Sequence, residues 1–280
     1  MKIGIIGAGV MGVDTAISCI AAGHSVILVD RDESIIQNVE KNLLRNLRPY
    51  KMVLPSLRDL DNDKLCQQIQ YTTDLKDLAD THWIIENASE EWETKKQIYQ
   101  NLSTICSAST YIGVNTSCIS ITKIGALLKH PENIIGMHFM NPVPIKTCVE
   151  LIKGFHTAEN TINAANELLS TLNKKGVLVE DLPGFVSNRL SHLFMNEAAF
   201  LVQDGVASAA NIDKIFKDGY GHTMGPLETA DLIGLDTVVN SLKVLYESYQ
   251  DSKFRCCPLL QKMVDAGLLG RKSGQGFYQY

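Results

Sequence analysis

Hydrophobic and polar positions change rhythm partway along the chain. Up to about residue 180, short β-rich runs alternate with longer stretches of helical spacing. Lys2–Ile6 reads as a strand, Gly12–Ala22 as a helix closed by Gly23, and Ser25–Val29 as a second strand. Glu33 to about Leu47 has helical spacing, and Pro49–Asp63 reads as an irregular polar connection or a helix break. Asp74–Ala79 reads as helical, Trp83–Ile85 as a third strand and Glu91–Cys106 as a helix. Tyr111–Val114, Ile134–His138, Cys148–Ile152 and Val177–Glu180 read as further strands. Strands alternating with helices predict βαβ units, hence an α/β, Rossmann-type doubly wound sheet that is mainly parallel. Beyond Asp181-Leu182-Pro183-Gly184 the pattern is helical almost to the end, through Ser187–Asp204, Ala210–Gly219, Pro226–Ile233, Asp236–Tyr249 and Pro258–Ala266. Only Gly276–Tyr280 reads as extended again. Two domains are predicted, 1–182 and an all-helical 183–280.

Composition narrows the class. Of 280 residues, 45% are hydrophobic and 20% charged, the balance of a globular chain with ample core material. A formal net charge of −5 argues against non-specific nucleic-acid binding. No apolar run reaches the roughly 18 residues of a membrane span. The apolar stretch Ile3–Met11 contains several glycines and runs into a phosphate-loop pattern, so it does not read as a signal peptide. Seven scattered cysteines without a CxxC pair fit reduced thiols in a cytoplasmic protein, with neither a disulfide frame nor a metal site.

Gly7-Ala8-Gly9-Val10-Met11-Gly12 is a G-x-G-x-x-G hexapeptide. A strand precedes it, a helix follows it, and Asp30 ends the next strand, which is the context a dinucleotide site requires. The first glycine permits the tight turn, the second lets backbone approach a pyrophosphate, and the third allows close helix–sheet packing. The helix N-terminus then offers unpaired N–H groups to the phosphates. Asp30 can accept bonds from both hydroxyls of an adenosine ribose and would repel a 2′-phosphate, which favours NAD over NADP; Arg31 beside it pulls the other way.

Four polar residues further along are candidates for chemistry: Ser117, His138, Glu150 and Asn188. His138 falls at the end of a predicted strand, where ligands of open α/β sheets gather. Pro142 and Pro144 force a turn, and a hairpin-like return could bring Glu150 to the imidazole. A histidine oriented by a carboxylate is a suitable base for removing the proton of an alcohol during hydride transfer. Each residue alone is also open to a structural reading, as a strand-end histidine, a surface charge, a turn residue or a helix cap. Composition and spacing therefore define an NAD-binding α/β oxidoreductase with a candidate histidine base and leave the substrate open.

The order of longer motifs resolves this. Ile5-Ile6-Gly7-Ala8-Gly9-Val10-Met11-Gly12, Asn115-Thr116-Ser117, His138-Phe139-Met140-Asn141-Pro142-Val143-Pro144 and Asp181-Leu182-Pro183-Gly184-Phe185-Val186-Ser187-Asn188-Arg189 follow one another. Met224-Gly225-Pro226-Leu227-Glu228, Asp231-Leu232-Ile233-Gly234-Leu235-Asp236 and Gly270-Arg271-Lys272-Ser273-Gly274-Gln275-Gly276-Phe277-Tyr278 come after them. Over essentially its whole length the chain resembles the L-3-hydroxyacyl-CoA dehydrogenases, the bacterial 3-hydroxybutyryl-CoA dehydrogenases included. The resemblance implies reversible NAD-dependent oxidation of the 3-hydroxyl of a 3-hydroxyacyl thioester. It implies His138 as general acid/base, Glu150 as its orienting carboxylate, and Ser117 and Asn188 as holders of the 3-oxygen and thioester region. Glu90 and Lys95 match family positions near the nicotinamide ribose, and Asn115 one that touches the cofactor. A Rossmann-type domain, a helical domain that makes a homodimer contact, and a site between the two domains are likewise implied.

Some segments depart from the family pattern. Val13-Asp14-Thr15-Ala16 stands where an apolar segment is usual, Glu86-Asn87-Ala88 where Glu-Ala and an aliphatic residue are common, and His222-Thr223-Met224 where His-Pro-Met is common. The segment Asn42–Lys64 is rich in Arg and Leu and carries Pro49 and Pro55. Its cations Arg45, Arg48, Lys51 and Arg58 could meet a CoA phosphate, the acidic helix of an acyl carrier protein, or only solvent. The tethered acyl carrier-protein substrate is thus an alternative to acyl-CoA. A free 3-hydroxy acid and a non-catalytic NAD-binding role are weaker ones.

Overall fold

The fold is known from a computed structural model that describes residues 1–58 and 60–280. The chain divides into two units, Met1–Asp181 and Leu182–Tyr280.

The first unit is built on eight strands. They are β1 (Lys2–Ile6), β2 (Ser25–Val29), β3 (Ile69–Thr72), β4 (Trp83–Glu86), β5 (Tyr111–Val114), β6 (Ile134–Phe139), β7 (Cys148–Lys153) and β8 (Lys175–Glu180). In space their order is β3-β2-β1-β4-β5-β6-β7-β8. The six from β3 to β6 run parallel, β7 is antiparallel to β6, and β8 is parallel to β7. The order reverses at β1, whose neighbours β2 and β4 leave its carboxyl end beside a crevice, the switch point at which such sheets bind ligands. Ile3, Ile5, Leu28 and Ile85 are wholly buried, as strands covered on both faces require.

Among the described residues, seven helices accompany the sheet: α1 (Val10–Ala21), α2 (Glu33–Val53), α3 (Pro55–Arg58), α4 (Asn62–Gln67), α5 (Trp92–Ile105), α6 (Ile121–Gly125) and α7 (Glu159–Thr171). Several outcomes differ from the sequence reading, among them helices α3, α4 and α6, which the pattern does not mark. Helix α2 does not stop near Leu47 but runs through Pro49 to Val53. Its buried stripe Val39, Leu43, Leu47 carries it that far, and beyond Pro49 the Tyr50 hydroxyl donates to Asp14 Oδ2 at 2.6 Å while the Lys51 ammonium donates to the Leu60 carbonyl and to Asn62. These tertiary bonds offset the helix bond that proline cannot make. Asp74–Ala79 is a 3₁₀ turn at Leu75–Leu78. Strand β3 and helix α7 lie in segments the pattern does not single out; β3 is four residues long and buries only Ile69.

Asp14, wholly buried on α1, also accepts a longer bond from Asn46. Burial pushes its carboxyl pKa up, and the two hydrogen bonds oppose this. It therefore faces α2, away from the start of α1 where phosphates would lie.

The second unit consists of α8 (Ser187–Gln203), α9 (Ala209–Lys214), α10 (Pro226–Ile233), α11 (Leu235–Tyr249) and α12 (Pro258–Asp265), with a π-helical turn at Ile215–Gly219. Met195, Leu227, Leu235, Leu242 and Leu260 form its core. Asp231 accepts from the backbone N–H of Phe277 and Tyr278, both at 3.0 Å, and so fixes the C-terminal tail. That tail forms an isolated bridge between Gln275 and Gln279 rather than the extended strand expected.

His192 on α8 is 4% exposed; its Nδ1 bonds the Asn188 carbonyl at 2.8 Å, and Nε2 has no partner among the described residues. Burial holds its pKa below the usual 6.5. The fold therefore favours the neutral ring, and stability is lost as pH falls below 6.5, where the unfolded chain protonates first. His192→Leu is expected to stabilise by about 1 kcal/mol at neutral pH. The gain should widen between pH 7 and 5 in thermal melts; a gain that shrinks on acidification would contradict this account.

Candidate active site

The hexapeptide loop joins β1 to α1. Gly7 has φ +92°, and a Cβ there would lie 2.7 Å from the Asn87 carbonyl oxygen, so only glycine fits. At Gly12 a Cβ would meet the Gly7 carbonyl at 1.8 Å, so its absence lets α1 close on the turn. Gly9, by contrast, faces open space and precedes a helix whose first turn carries no acidic residue. Val10 is exposed at the helix start, and Met11 packs against the core. A cleft of about 460 Å³ opens here, lined by Gly7, Gly9, Asp30, Arg31, Asp32 and Asn87 among others.

Asp30 Oδ2 accepts from Ala8 N at 2.8 Å and Oδ1 from Asp32 N at 3.1 Å. The carboxylate that would meet a ribose is thus braced by the phosphate loop itself. Asp32 caps α2 by accepting from Ser34 N at 2.8 Å, which puts a second carboxylate at this end of the cleft. Two anions flanking Arg31 disfavour a 2′-phosphate. The open backbone at Gly9, the free helix terminus and braced Asp30 together fit NAD.

The polar residues read from the sequence fall into distinct places. His138 on β6 and Glu150 on β7 are direct cross-strand partners in the antiparallel register. Their side chains meet with Nδ1 to Oε2 at 2.7 Å, both largely buried. Nδ1–H donates to the carboxylate, which leaves Nε2 as the acceptor, 3.2 Å from Ser117 Oγ. Asn115 ties this group to the dinucleotide cleft. Its Nδ2 donates to Asn87 Oδ1 at 2.8 Å, and its Oδ1 accepts from Phe139 N at 3.2 Å. Asn188 lies in the first turn of α8, in the second unit. Glu90 turns one carboxylate oxygen to the loop bearing Ser117.

Lys95 reaches Glu86 and the Asn115 carbonyl. Its side chain is wholly buried. Its ammonium donates to both oxygens of Glu86, at 2.8 and 2.7 Å, and at 3.4 Å to the Asn115 carbonyl. Tyr99 Oη and Ala88 N also donate to Glu86, at 2.8 and 2.6 Å. Glu86 is thus the centre of a support under Asn87 and Asn115 that the sequence reading missed. A carboxylate closing the apolar strand Trp-Ile-Ile-Glu was the available signal.

A second missed support is Lys174, buried, whose ammonium donates to the carbonyls of Val143 and Lys146 within the β6–β7 turn. Burial pushes its pKa down to about 8. Lys51, read as a surface cation, is engaged with Leu60 and Asn62, while Arg45, Arg48 and Arg58 are exposed. Among the described residues no group of three or more His, Cys, Asp and Glu is arranged to hold a metal, and no helix is long and apolar enough to cross a membrane.

A dinucleotide cleft linked through one asparagine to a carboxylate-backed histidine defines a hydride-transferring dehydrogenase of alcohols. The chain belongs to the 3-hydroxyacyl-CoA dehydrogenase family: residues 2–182 match its NAD binding domain and residues 184–280 its C-terminal domain. It is 41% identical to a 3-hydroxybutyryl-CoA dehydrogenase of Bradyrhizobium diazoefficiens, over 100% of this chain and 95% of that one. It is 40% identical to another of Clostridioides difficile, over 100% and 99%. The crystal structure of (S)-3-hydroxybutyryl-CoA dehydrogenase from Ralstonia eutropha superposes with a TM-score of 0.93 at 38% identity, covering 100% of this chain and 98% of that one.

Proposed function

We propose that the protein oxidises the 3-hydroxyl of a short 3-hydroxyacyl-CoA to the 3-keto thioester and also runs the reverse reaction. The observation that carries this is the Ser117–His138–Glu150 relay, joined by Asn115 to a cleft fitted for NAD. NAD, when bound, supplies the hydride acceptor. His138 Nε2 takes the proton of the substrate hydroxyl. Glu150 holds Nδ1–H, fixes the ring, and neutralises the imidazolium that forms. Ser117 donates to the 3-oxygen and holds it at Nε2. Asn188 is assigned by family resemblance to the thioester region, and Glu90 and Asn115 to the cofactor. The names of the most similar relatives support a four-carbon acyl group and CoA as its carrier.

Exposed apolar side chains on the second unit, such as Leu190, Ile215 and Tyr220, support a homodimer. The reduced thiols of Cys19, Cys66, Cys106, Cys148, Cys256 and Cys257 support action in a reducing compartment such as the cytoplasm.

The test is NADH formation from racemic 3-hydroxybutyryl-CoA beside the same acyl group loaded on a carrier protein. Turnover of the CoA ester is expected. Turnover of the tethered acyl group alone would reassign the carrier and make exposed Arg45, Arg48 and Arg58 its docking side; inactivity on both would overturn the thioester reading.

A further inference from the structure

We propose that Glu90 is the positioning residue for Ser117, an inference that rests on the role given to Ser117 above. Residues 116–118 follow β5 with no regular secondary structure to hold them. One carboxylate oxygen bonds to all three. Glu90 Oε1 accepts from Thr116 Oγ1 at 2.6 Å, Ser117 N at 2.8 Å and Cys118 N at 2.9 Å. Two consecutive backbone N–H groups and a hydroxyl converging on one point make an anion cradle, and here the anion is a side chain of the same protein. Such charge-assisted bonds are roughly twice as strong as neutral ones. Thr116 is buried, and its hydroxyl also accepts from Ile119 N at 3.0 Å, which closes the turn beyond Ser117.

Pinning the Ser117 N–H fixes the direction of its side chain, and Oγ then stands 3.2 Å from His138 Nε2. A substrate oxygen must fit both groups at once, so a loose loop would spoil the approach geometry without touching the reacting atoms. Glu90 lies 27 residues before Ser117 and reaches it from the β4–α5 connection. A neutral amide at this position keeps the size but loses the charge that gathers the three donors.

The experiment is a double-mutant cycle of E90Q and S117A. Its readouts are kcat and KM for the hydroxyacyl-CoA and the NADH dissociation constant by fluorescence titration. Glu90→Gln is expected to lower kcat/KM about 10–100-fold. Any fall in NADH affinity should be smaller than the fall in kcat/KM, and adding E90Q to S117A should cost less than about twofold more. Multiplying effects, or a fall in NADH affinity as large as the fall in kcat/KM, would overturn the proposal and leave Glu90 a cofactor contact alone. Wild-type turnover by S117A would instead overturn the role of Ser117 itself. Should E90Q not fold, Thr116→Val removes one of the three donors; it should lower kcat/KM in the same direction, and Thr116→Ser should restore it.

Discussion

Replacing His138 with glutamine is expected to lower kcat about 10²–10⁴-fold while NADH binding survives. The substitution separates base chemistry from folding. A glutamine amide can still donate to Glu150, so the bond to the largely buried carboxylate is kept, whereas alanine would lose it. It has no lone pair able to take the substrate proton at the place of Nε2. Asn115 links the dinucleotide cleft to the strand that carries His138. Turnover of His138→Gln at the wild-type rate would mean the proton leaves by another route. Loss of NADH binding in step with kcat would mean the substitution had disturbed the cleft.

The second large effect is on stability. Lys95→Met should destabilise the protein by about 3–5 kcal/mol, the cost of leaving one member of a buried ion pair unpaired. Both side chains are wholly excluded from solvent. Burial pushes the Glu86 pKa above 4.5, and the Lys95 ammonium is the largest influence opposing that shift. With Lys95 gone the shift grows. The folded protein then binds a proton at Glu86 more tightly than the unfolded chain, so the deficit should be greatest at neutral pH and shrink as pH falls toward 4.5. Lys95→Met with Glu86→Leu should be less damaging than Lys95→Met alone, although Tyr99 and Ala88 N then lose an acceptor. Denaturant titration at pH 7 and pH 5 measures both effects; equal losses at the two pH values would remove the unpaired carboxylate as the cause.

The two kinds of site residue were not equally readable. The Gly7–Gly12 turn is legible because backbone geometry at Gly7 and Gly12 admits no side chain, a constraint that leaves its mark in local sequence. The pairing of His138 with Glu150 is half legible: two prolines between two apolar runs announce a return of the chain, whereas the register that sets 138 opposite 150 is settled by the sheet. Lys95 is singled out only by the resemblance, as a position near the nicotinamide ribose, and the position of β4 reveals its ion pair with Glu86. Contacts such as Glu90 to Ser117 span many residues and leave no periodic trace. The same holds for α2 beyond Pro49, where a local rule is overridden by Tyr50 reaching Asp14.

The antiparallel β6–β7 pair has a consequence for how this protein can change over evolutionary time. His138 and Glu150 face each other because their strands are in register, and a slip of one residue would turn either side chain to the opposite face. The turn between them contributes neither group. Its length and composition are therefore open to drift and to grafting, so long as Lys174 still finds its carbonyls and the ladder keeps count, while the two strands themselves are closed to insertion.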